Sequence, residues 1–229
     1  MKKPFLLFIS TALSICACAQ NSPFRVGATA GMELSNWHTK NIEDFNYEDF
    51  KLKAGLKLGA IGEYAFNQYV ALSPELVFTQ RGYRVSDRRT TFGTSYDYTR
   101  TATVNYLQLP LNLVFNIPIN ADCKFIALAG GYGAFAFSGT LRKKAVAYDY
   151  VGGEQTSKQK EEITIGSSAE NDLRAWDFGL NVGAGIEYLN AFAKLQYNFG
   201  LSNLAPKSEN NATITNGNIG ISVGYLFQF

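Results

Sequence analysis

Apolar and polar residues alternate along most of the chain with a period of two, the pattern of β-strands that present one face to an apolar environment. The clearest segment is "WDFGLNVGAGIEY" (176–188), where Trp176 and Phe178 face one way and Asp177 and Gly179 face the other. The pattern predicts strands in eight segments, near 25–34, 51–66, 70–79, 107–115, 124–141, 176–188, 193–201 and 221–229. The fifth segment carries Gly and Ala on both faces, so its register stays unassigned.

The lengths of these segments and of their connections favour a membrane barrel. Most segments exceed the ~9–11 residues with which a tilted strand crosses a bilayer, whereas strands in soluble proteins average about five or six. Short connections fall at 67–68, 116–122 and 189–190, and long polar ones at 36–50, 84–101, 142–173 and 202–213. Outer-membrane barrels combine short periplasmic turns with long extracellular loops. We therefore predict an all-β fold: an eight-stranded antiparallel up-and-down transmembrane β-barrel with both termini in the periplasm.

The polar face of the strands is typical of a narrow barrel interior. It is dominated by Gly, Ser, Thr and Asn, whereas the outer face of a soluble sandwich would be rich in charge. The interior of an eight-stranded barrel is just wide enough to be filled by side chains, so the few charges of mixed sign there must pair. The predicted barrel-interior polar network is Glu33, Lys57, Glu63, Glu75, Arg81, Asp177, Glu187 and Lys194. Aromatic residues near the strand ends on the other face match interfacial girdles.

The stretch "ISVGYLFQF" alternates up to Phe229, the last residue of the sequence. A strand in full alternation needs a paired edge and a covered apolar face, so we expect the last strand to pair with the first and close the barrel. Pro74 and Pro110 lie within predicted strands, where each removes a ladder donor. We expect irregular pairing beside both.

The first residues predict export. In "MKKPFLLFISTALSICACAQ", two lysines precede an apolar run and an A-x-A site, which predicts a signal peptide at 1–19 and a barrel domain at 20–229. Lipidation of Cys18 is an alternative reading. Cleavage would remove Lys2 and Lys3, which account for the formal net charge of +2. The neutral mature chain indicates no nucleic-acid partner, and Cys123 alone forms no internal disulfide. With a mean hydropathy of -0.09 and no later apolar run of ~18 residues, a helical membrane protein is excluded.

The sequence offers little chemistry. His38, the only histidine, lies in the first long connection near acidic residues. A solvated loop histidine is the favoured interpretation, because no serine motif or paired base accompanies it. We predict no catalytic residue, no metal site and no cofactor. Gly130, Gly131 and Gly133 resemble a phosphate loop only superficially, since no helix follows them. The mixed-charge segment 143–162 is interpreted as a solvated loop, with a binding surface as the alternative.

Five motifs in order resemble the PorT-like outer-membrane β-barrel family of Bacteroidetes. They are "ALSPELVFTQRGY" (71–83), "NYLQLPLNLVF" (105–115), "WDFGLNVGAGIEY" (176–188), "YNFGLSNL" (197–204) and "NIGISVGYLFQF" (218–229). The chain departs from the family pattern at Gln108, where an acid is usual, and at Val114, where a lysine is frequent. The resemblance implies that Tyr225, Phe227 and Phe229 form the aromatic signal read by the barrel-assembly machinery. It also implies a link to secretion and gliding machinery.

Three hypotheses for function follow. The preferred one is a non-enzymatic barrel in outer-membrane lipid that is structural or binds a protein partner through its extracellular loops. The second is an accessory subunit of a secretion machinery, which rests on the resemblance alone. The third is a membrane enzyme acting on lipid.

Overall fold

The computed structural model describes residues 23–40, 50–91, 94–149, 153–166, 168, 171–206 and 213–228. These residues form ten strands. They are β1 (Phe24–Lys40), β2 (Phe50–Lys51), β3 (Lys53–Ala65), β4 (Val70–Thr91), β5 (Thr94–Pro118), β6 (Cys123–Asp149), β7 (Gly153–Glu162), β8 (Trp176–Tyr188), β9 (Ala191–Gly200) and β10 (Thr213–Gln228).

Eight of the strands close into a ring in the order β1, β3, β4, β5, β6, β8, β9 and β10, and every neighbouring pair is antiparallel. The ring closes through β1 and β10, which pair from Arg25↔Gln228 to Lys40↔Thr213. The predicted eight-stranded up-and-down barrel, closed by its first and last strands, is confirmed. The other two strands lie beside the ring, β2 against β4 and β7 against β6.

Three tight turns mark one end of the barrel, here called the turn end. They follow Ala65, Pro118 and Tyr188, as the sequence predicted. In the first turn the side chain of Asn67 accepts hydrogen bonds from the backbone N–H groups of Tyr69 and Val70, at 2.8 and 2.9 Å. Asn side chains replace backbone acceptors in this way in Asx turns, which lets the chain reverse without a long loop.

At the opposite end, here called the hairpin end, three connections differ from the prediction. In the predicted connection 36–50, β1 continues as a strand to Lys40 and pairs with β10. The other two are 84–101 and 142–173. The segment 84–101 continues β4 and β5 as a ladder up to Thr91↔Thr94. Within 142–173, β6 runs on to Asp149 and pairs with β7. These are hairpins rather than irregular loops. The sequence missed them because a strand with water on both faces needs no apolar alternation.

The distribution of burial is the inverse of a soluble domain. Lys57, Arg81 and Glu33 are at most 1 % exposed, whereas Leu109 and Trp176 are 59 % and 56 % exposed. Apolar side chains on this outer face are stable only against lipid, and polar side chains inside the ring are shielded from it. No helix of the described residues is long and apolar enough to cross a membrane.

The structure supplies the register of the fifth predicted strand. In β6, Ile126, Leu128 and Tyr132 are buried inside the ring, while Phe125 and Phe135 face outward. The pairing of β5 with β6 shifts by one residue between Asn105 and Tyr106.

Strand pairing is irregular beside Pro74 and Pro110, as the sequence predicted. The ladder of β4 with β5 is interrupted after the pair Pro74↔Leu111 and resumes at Val77↔Gln108 in the same register. The gap lies opposite Leu109 and Pro110, as expected where prolines withhold donors.

Candidate functional site

A buried ion cluster occupies the middle of the barrel interior. Oε2 of Glu33 on β1 accepts hydrogen bonds from Thr79 at 2.8 Å, from Nε of Arg81 at 3.0 Å and from Asn218 at 2.9 Å. The Lys57 ammonium lies 4.0 Å from the other oxygen of Glu33. Three other strands, β3, β4 and β10, thus supply side chains to this one carboxylate.

The second half of this cluster centres on Asp177 of β8. Its Oδ2 lies 3.3 Å from Nη1 of Arg81 and accepts hydrogen bonds from Asn216 at 2.8 Å and from the Tyr132 hydroxyl at 3.3 Å. Oδ1 accepts a hydrogen bond from Ser202 at 2.8 Å. Arg81 therefore bridges two buried carboxylates, and each carboxylate has further donors. A buried charge needs such pairing, because the low dielectric of the interior penalises an unpaired ion heavily.

Arg81 has further partners. Its Nη2 donates to the side-chain oxygen of Gln108. The guanidinium carbon lies 5.6 Å from the ring centre of Tyr106 and 5.2 Å from that of Tyr132. Cation–π contacts of this kind favour a desolvated guanidinium. Arg81 thus bonds to or stacks against five side chains, those of Glu33, Asp177, Gln108, Tyr106 and Tyr132.

Closer to the turn end, the predicted residues form two smaller groups. Lys194 of β9 pairs with Glu75 of β4, and both are buried. At the turn end itself, Arg25 pairs with Glu63 and Glu187, and Lys124 lies 3.2 Å from Glu187. All eight residues of the predicted network are buried, in these three groups.

Several members of the network were not predicted. Arg25 and Gln108 lie on the polar faces of alternating segments, so the period of two was a sufficient signal for them. Lys124 and Tyr132 lie in the segment whose register the sequence did not define. No sequence signal shows that Tyr132 is buried inside the ring, because tyrosine is equally common at a lipid interface.

Apolar layers separate and seal the polar groups. Ile61, Phe192 and Leu226 form one buried cluster near the turn end. Near the hairpin end, another cluster contains Trp37, Tyr83, Tyr106, Leu173 and Leu204. A cavity of about 20 Å³ beside Glu75 and Lys194 is large enough for about one water molecule. Between these two layers, side chains therefore fill the described interior.

A cavity of about 240 Å³, here called the mouth cavity, lies at the hairpin end. Its walls include the rings of Trp37 and Tyr83, whose centres are 4.9 Å apart, and the acidic residues Glu161, Glu162 and Asp172. The indole N–H of Trp37 faces no acceptor among the described residues. The arrangement can hold a small ligand with an apolar face and a hydrogen-bond acceptor.

The parts of β4, β5 and β6 that extend beyond the ring form a sheet with β7 at the hairpin end. This sheet is here called the projecting sheet, and β2 pairs with β4 at its edge. Its side chains are mostly polar and exposed. Arg88 and Asp97 pair across β4 and β5 at 2.5 Å. The hydrogen bond from Arg88, and secondarily its charge, lower the pKa of the exposed Asp97 carboxyl below its ordinary value.

The other residues considered for chemistry lie apart from these features. His38 is on β1 rather than in a loop, exposed on the face opposite to Trp37 and Thr39, which line the mouth cavity. Gly130, Gly131 and Gly133 lie within β6; a Cβ at Gly133 would contact the Phe178 ring at 3.3 Å. The described part of the chain contains no group of three His, Cys, Asp or Glu that could hold a metal ion.

A closed ring with a lipid-facing apolar surface and a buried polar interior defines the class of integral outer-membrane β-barrels. A family model for the outer membrane protein beta-barrel domain matches residues 18–205. The chain belongs to this family, and it is an integral protein of the outer membrane. A comparison with curated protein sequences finds no match.

Solved structures similar to this chain include three bacterial barrels. Ail, the attachment invasion locus protein of Yersinia pestis, is 17 % identical with a TM-score of 0.38, covering 89 % of this chain and 98 % of that one. Neisserial surface protein A is 14 % identical with a TM-score of 0.37, covering 90 % and 98 %. The N-terminal barrel domain of Pseudomonas aeruginosa OprF is 12 % identical with a TM-score of 0.35, covering 91 % and 100 %.

Several predictions lie beyond these findings. The signal peptide at 1–19, the alternative at Cys18 and the residue Phe229 fall outside the described residues. The resemblance to PorT-like proteins, the source in Bacteroidetes and a role in a secretion machinery stay predictions, because the matching family is broader.

Proposed function

We propose that this protein is a closed, non-enzymatic outer-membrane barrel that binds a protein partner through the projecting sheet. The observation that carries the proposal is that β4, β5 and β6 continue well past the ring as paired strands, while the interior beneath them is filled. A preformed sheet presents side chains in fixed positions, so binding to it orders little additional chain.

The hairpin end faces the outside of the cell, and both termini face the periplasm. Outer-membrane barrels place short turns in the periplasm and long connections outside, and the turns after Ala65, Pro118 and Tyr188 all lie at one end. The strands that protrude from the opposite end are then available to extracellular partners.

The residues Tyr225, Phe227 and Phe229 act during insertion as the signal for the barrel-assembly machinery. Tyr225 and Phe227 lie on the outer face of β10 with ring centres 4.8 Å apart. Aromatic side chains exposed on the last paired strand are accessible to such a machinery before the barrel meets lipid.

The proposed binding surface is tested with a photo-cross-linking amino acid in native outer membranes. Replacing Tyr98 on β5 places the probe on the projecting sheet, and replacing the similarly exposed Tyr69 places it at the turn end. We expect a discrete cross-linked protein from position 98 and none from position 69. Both variants must first show the heat-modifiable gel mobility of a folded barrel. The same product from both positions, or a product from position 69 alone, would contradict a partner on the projecting sheet.

A further inference from the structure

A row of register partners crosses five strands of the projecting sheet and is almost entirely cationic. Lys51 is paired with Arg84, Arg84 with Thr101, Thr101 with Arg142, and Arg142 with Lys160. Directly opposed residues on antiparallel strands share a face. With strands about 4.8 Å apart, the four cations extend over roughly 19 Å. These residues are called the cationic row below.

The cationic row faces away from the barrel axis. Tyr83, Ala102 and Leu141, the chain neighbours of three of its members, line the mouth cavity. Successive side chains of a strand point to opposite faces, so the row continues the lipid-facing surface of the barrel. The four cations of the row are exposed.

The cations of the row have no acidic partner among the described residues, unlike others on the same sheet. Lys143, next to Arg142 but on the opposite face, pairs with Glu161 at 2.6 Å. Arg88, further along β4 from Arg84, pairs with Asp97. Lys144 and Lys158 form the adjacent register pair beyond the row and add two more exposed cations. Glu162, two positions from Lys160 on β7, is an acidic residue on the same face, but it forms no ion pair with the row in the described part of the chain. The row and its two neighbours therefore carry a net positive charge.

Between the lipid-facing apolar residues and the cationic row lie two rows of polar side chains, most of them uncharged. In the first, Gln80 donates to Asn105 at 3.0 Å and Asn105 donates to Ser138 at 2.8 Å. In the second, Thr103 is the register partner of Thr140, and Thr140 is that of the acidic Glu162 on β7. Along the outer face, the sheet thus changes from apolar to amide, then hydroxyl, then cationic side chains.

The distance from the lipid-facing apolar residues to the cationic row indicates which kind of lipid fits this surface. Six residues separate Phe78 from Arg84, which is roughly 20 Å along a strand. At the tilt of about 35–45° usual for outer-membrane strands, this is roughly 15 Å along the membrane normal. The headgroup layer of a phospholipid leaflet is thinner, about 5–8 Å. A lipid whose headgroup contains sugars that carry phosphate fits the distance better, because its sugar hydroxyls can meet the amide and hydroxyl rows.

We propose that the cationic row binds the phosphate groups of a phosphorylated glycolipid of the outer leaflet, with the sugars of that lipid against the amide and hydroxyl rows. Arg is suited to this role because its guanidinium can donate two hydrogen bonds to one phosphate. The inference rests on the proposed orientation of the hairpin end toward the outside of the cell.

The test uses the full chain folded in nanodiscs of phosphatidylcholine, because both membrane faces are then accessible whatever the orientation in the cell. Purified lipopolysaccharide is added and the bound lipid is counted by native mass spectrometry. The triple variant R84Q/R142Q/K160Q is compared with wild type and with the matched control K143Q. We expect the triple variant to bind at least 10-fold more weakly and K143Q to bind like wild type. Added salt should weaken the wild-type interaction, since exposed charges are screened.

Three further arms identify the chemistry. Chemically dephosphorylated lipopolysaccharide should bind as weakly to wild type as intact lipopolysaccharide binds to the triple variant. Nanodiscs containing phosphatidylglycerol should not reproduce the binding, and millimolar inorganic phosphate should compete with it only partly.

Equal binding by wild type and the triple variant would overturn the proposal. Equal binding of dephosphorylated lipopolysaccharide or of phosphatidylglycerol would do the same. If the triple variant does not fold, the single variant R142Q takes its place, with an expected loss of about 3-fold against K143Q. A failure here leaves the cross-linking result from position 98 unaffected, so the two proposals are judged separately.

Discussion

The guanidinium of Arg81 lies 3.0 Å from the carboxylate of Glu33, and both side chains are completely buried inside the barrel. The two residues belong to strands that are not neighbours in the ring, β4 and β1. Their contact therefore crosses the interior, and together with the contact from Arg81 to Asp177 on β8 it ties three strands around one cation.

Removing this cation should destabilise the barrel strongly. In R81M, the carboxylates of Glu33 and Asp177 lose their shared partner, and breaking a buried pair from one side costs about 3–5 kcal/mol. The measurement is a urea titration of folding into lipid vesicles, followed by heat-modifiable gel mobility. R88M, which removes the exposed partner of Asp97, is the control and should change stability little. Equal effects of the two substitutions would mean that burial does not set the strength of these pairs.

The filled interior should conduct no ions. Apolar layers around Phe192 and around Leu173 close the described interior toward both ends, and eight-stranded barrels leave little space between their side chains. Planar-bilayer recordings of the purified, refolded protein should therefore show no steady current. A stable ohmic channel would contradict this packing.

The two faces of β10 should respond differently to a new charge. Val223 is 56 % exposed on the outer face, and arginine there meets hydrocarbon, so V223R should destabilise the barrel by about 2–4 kcal/mol. Ser222 is buried and is the register partner of Lys194, so S222R meets crowding and a like charge instead. Adding anionic lipid or changing bilayer thickness should alter the folding stability of V223R but not that of S222R. Identical behaviour of the two variants in the vesicle titration would argue against a lipid face and an interior face.

Protease treatment of intact cells should reveal the orientation. β7 is fully exposed along its described side chains and pairs with β6 alone, so a protease with broad specificity should cut near Lys158 or Lys160. The tight turns at Asn67 and Asn190 should stay intact. Peptide mapping by mass spectrometry locates the cuts. Cleavage at either turn with β7 intact would place the turn end outside.

Loss of the aromatic ring at Phe229 should affect assembly more than stability. F229S should lower the yield of the protein in outer membranes several-fold, because the assembly machinery has one aromatic side chain fewer to recognise. Spontaneous refolding of purified F229S into vesicles serves as the control and should be close to wild type. A variant that assembles normally in cells would remove Phe229 from the proposed signal.

The sequence predicted which charged residues lie inside the barrel but not which of them pair with each other. The period of two assigned Glu33, Arg81 and Asp177 to the polar face, because each faces opposite to apolar neighbours. It carried no information on which charges meet. Arg81 is 48 positions from Glu33 and 96 from Asp177, and their contact depends on the stagger of strands around the ring.

The sequence by itself determined the class of fold, the number of strands in the ring, the positions of the three tight turns and the lipid-facing side of most strands. Local alternation suffices for these features, because hydrocarbon imposes it on every strand that crosses the membrane. The tertiary structure alone decided the register of β6 and the buried partners of Arg81. It also decided that β4, β5 and β6 extend beyond the ring and that β7 pairs with β6. The physical reason is that strand pairing satisfies backbone hydrogen bonds regardless of side-chain pattern. Strands that lie in water, and strands with Gly and Ala on both faces, therefore show no apolar alternation from which their pairing could be predicted.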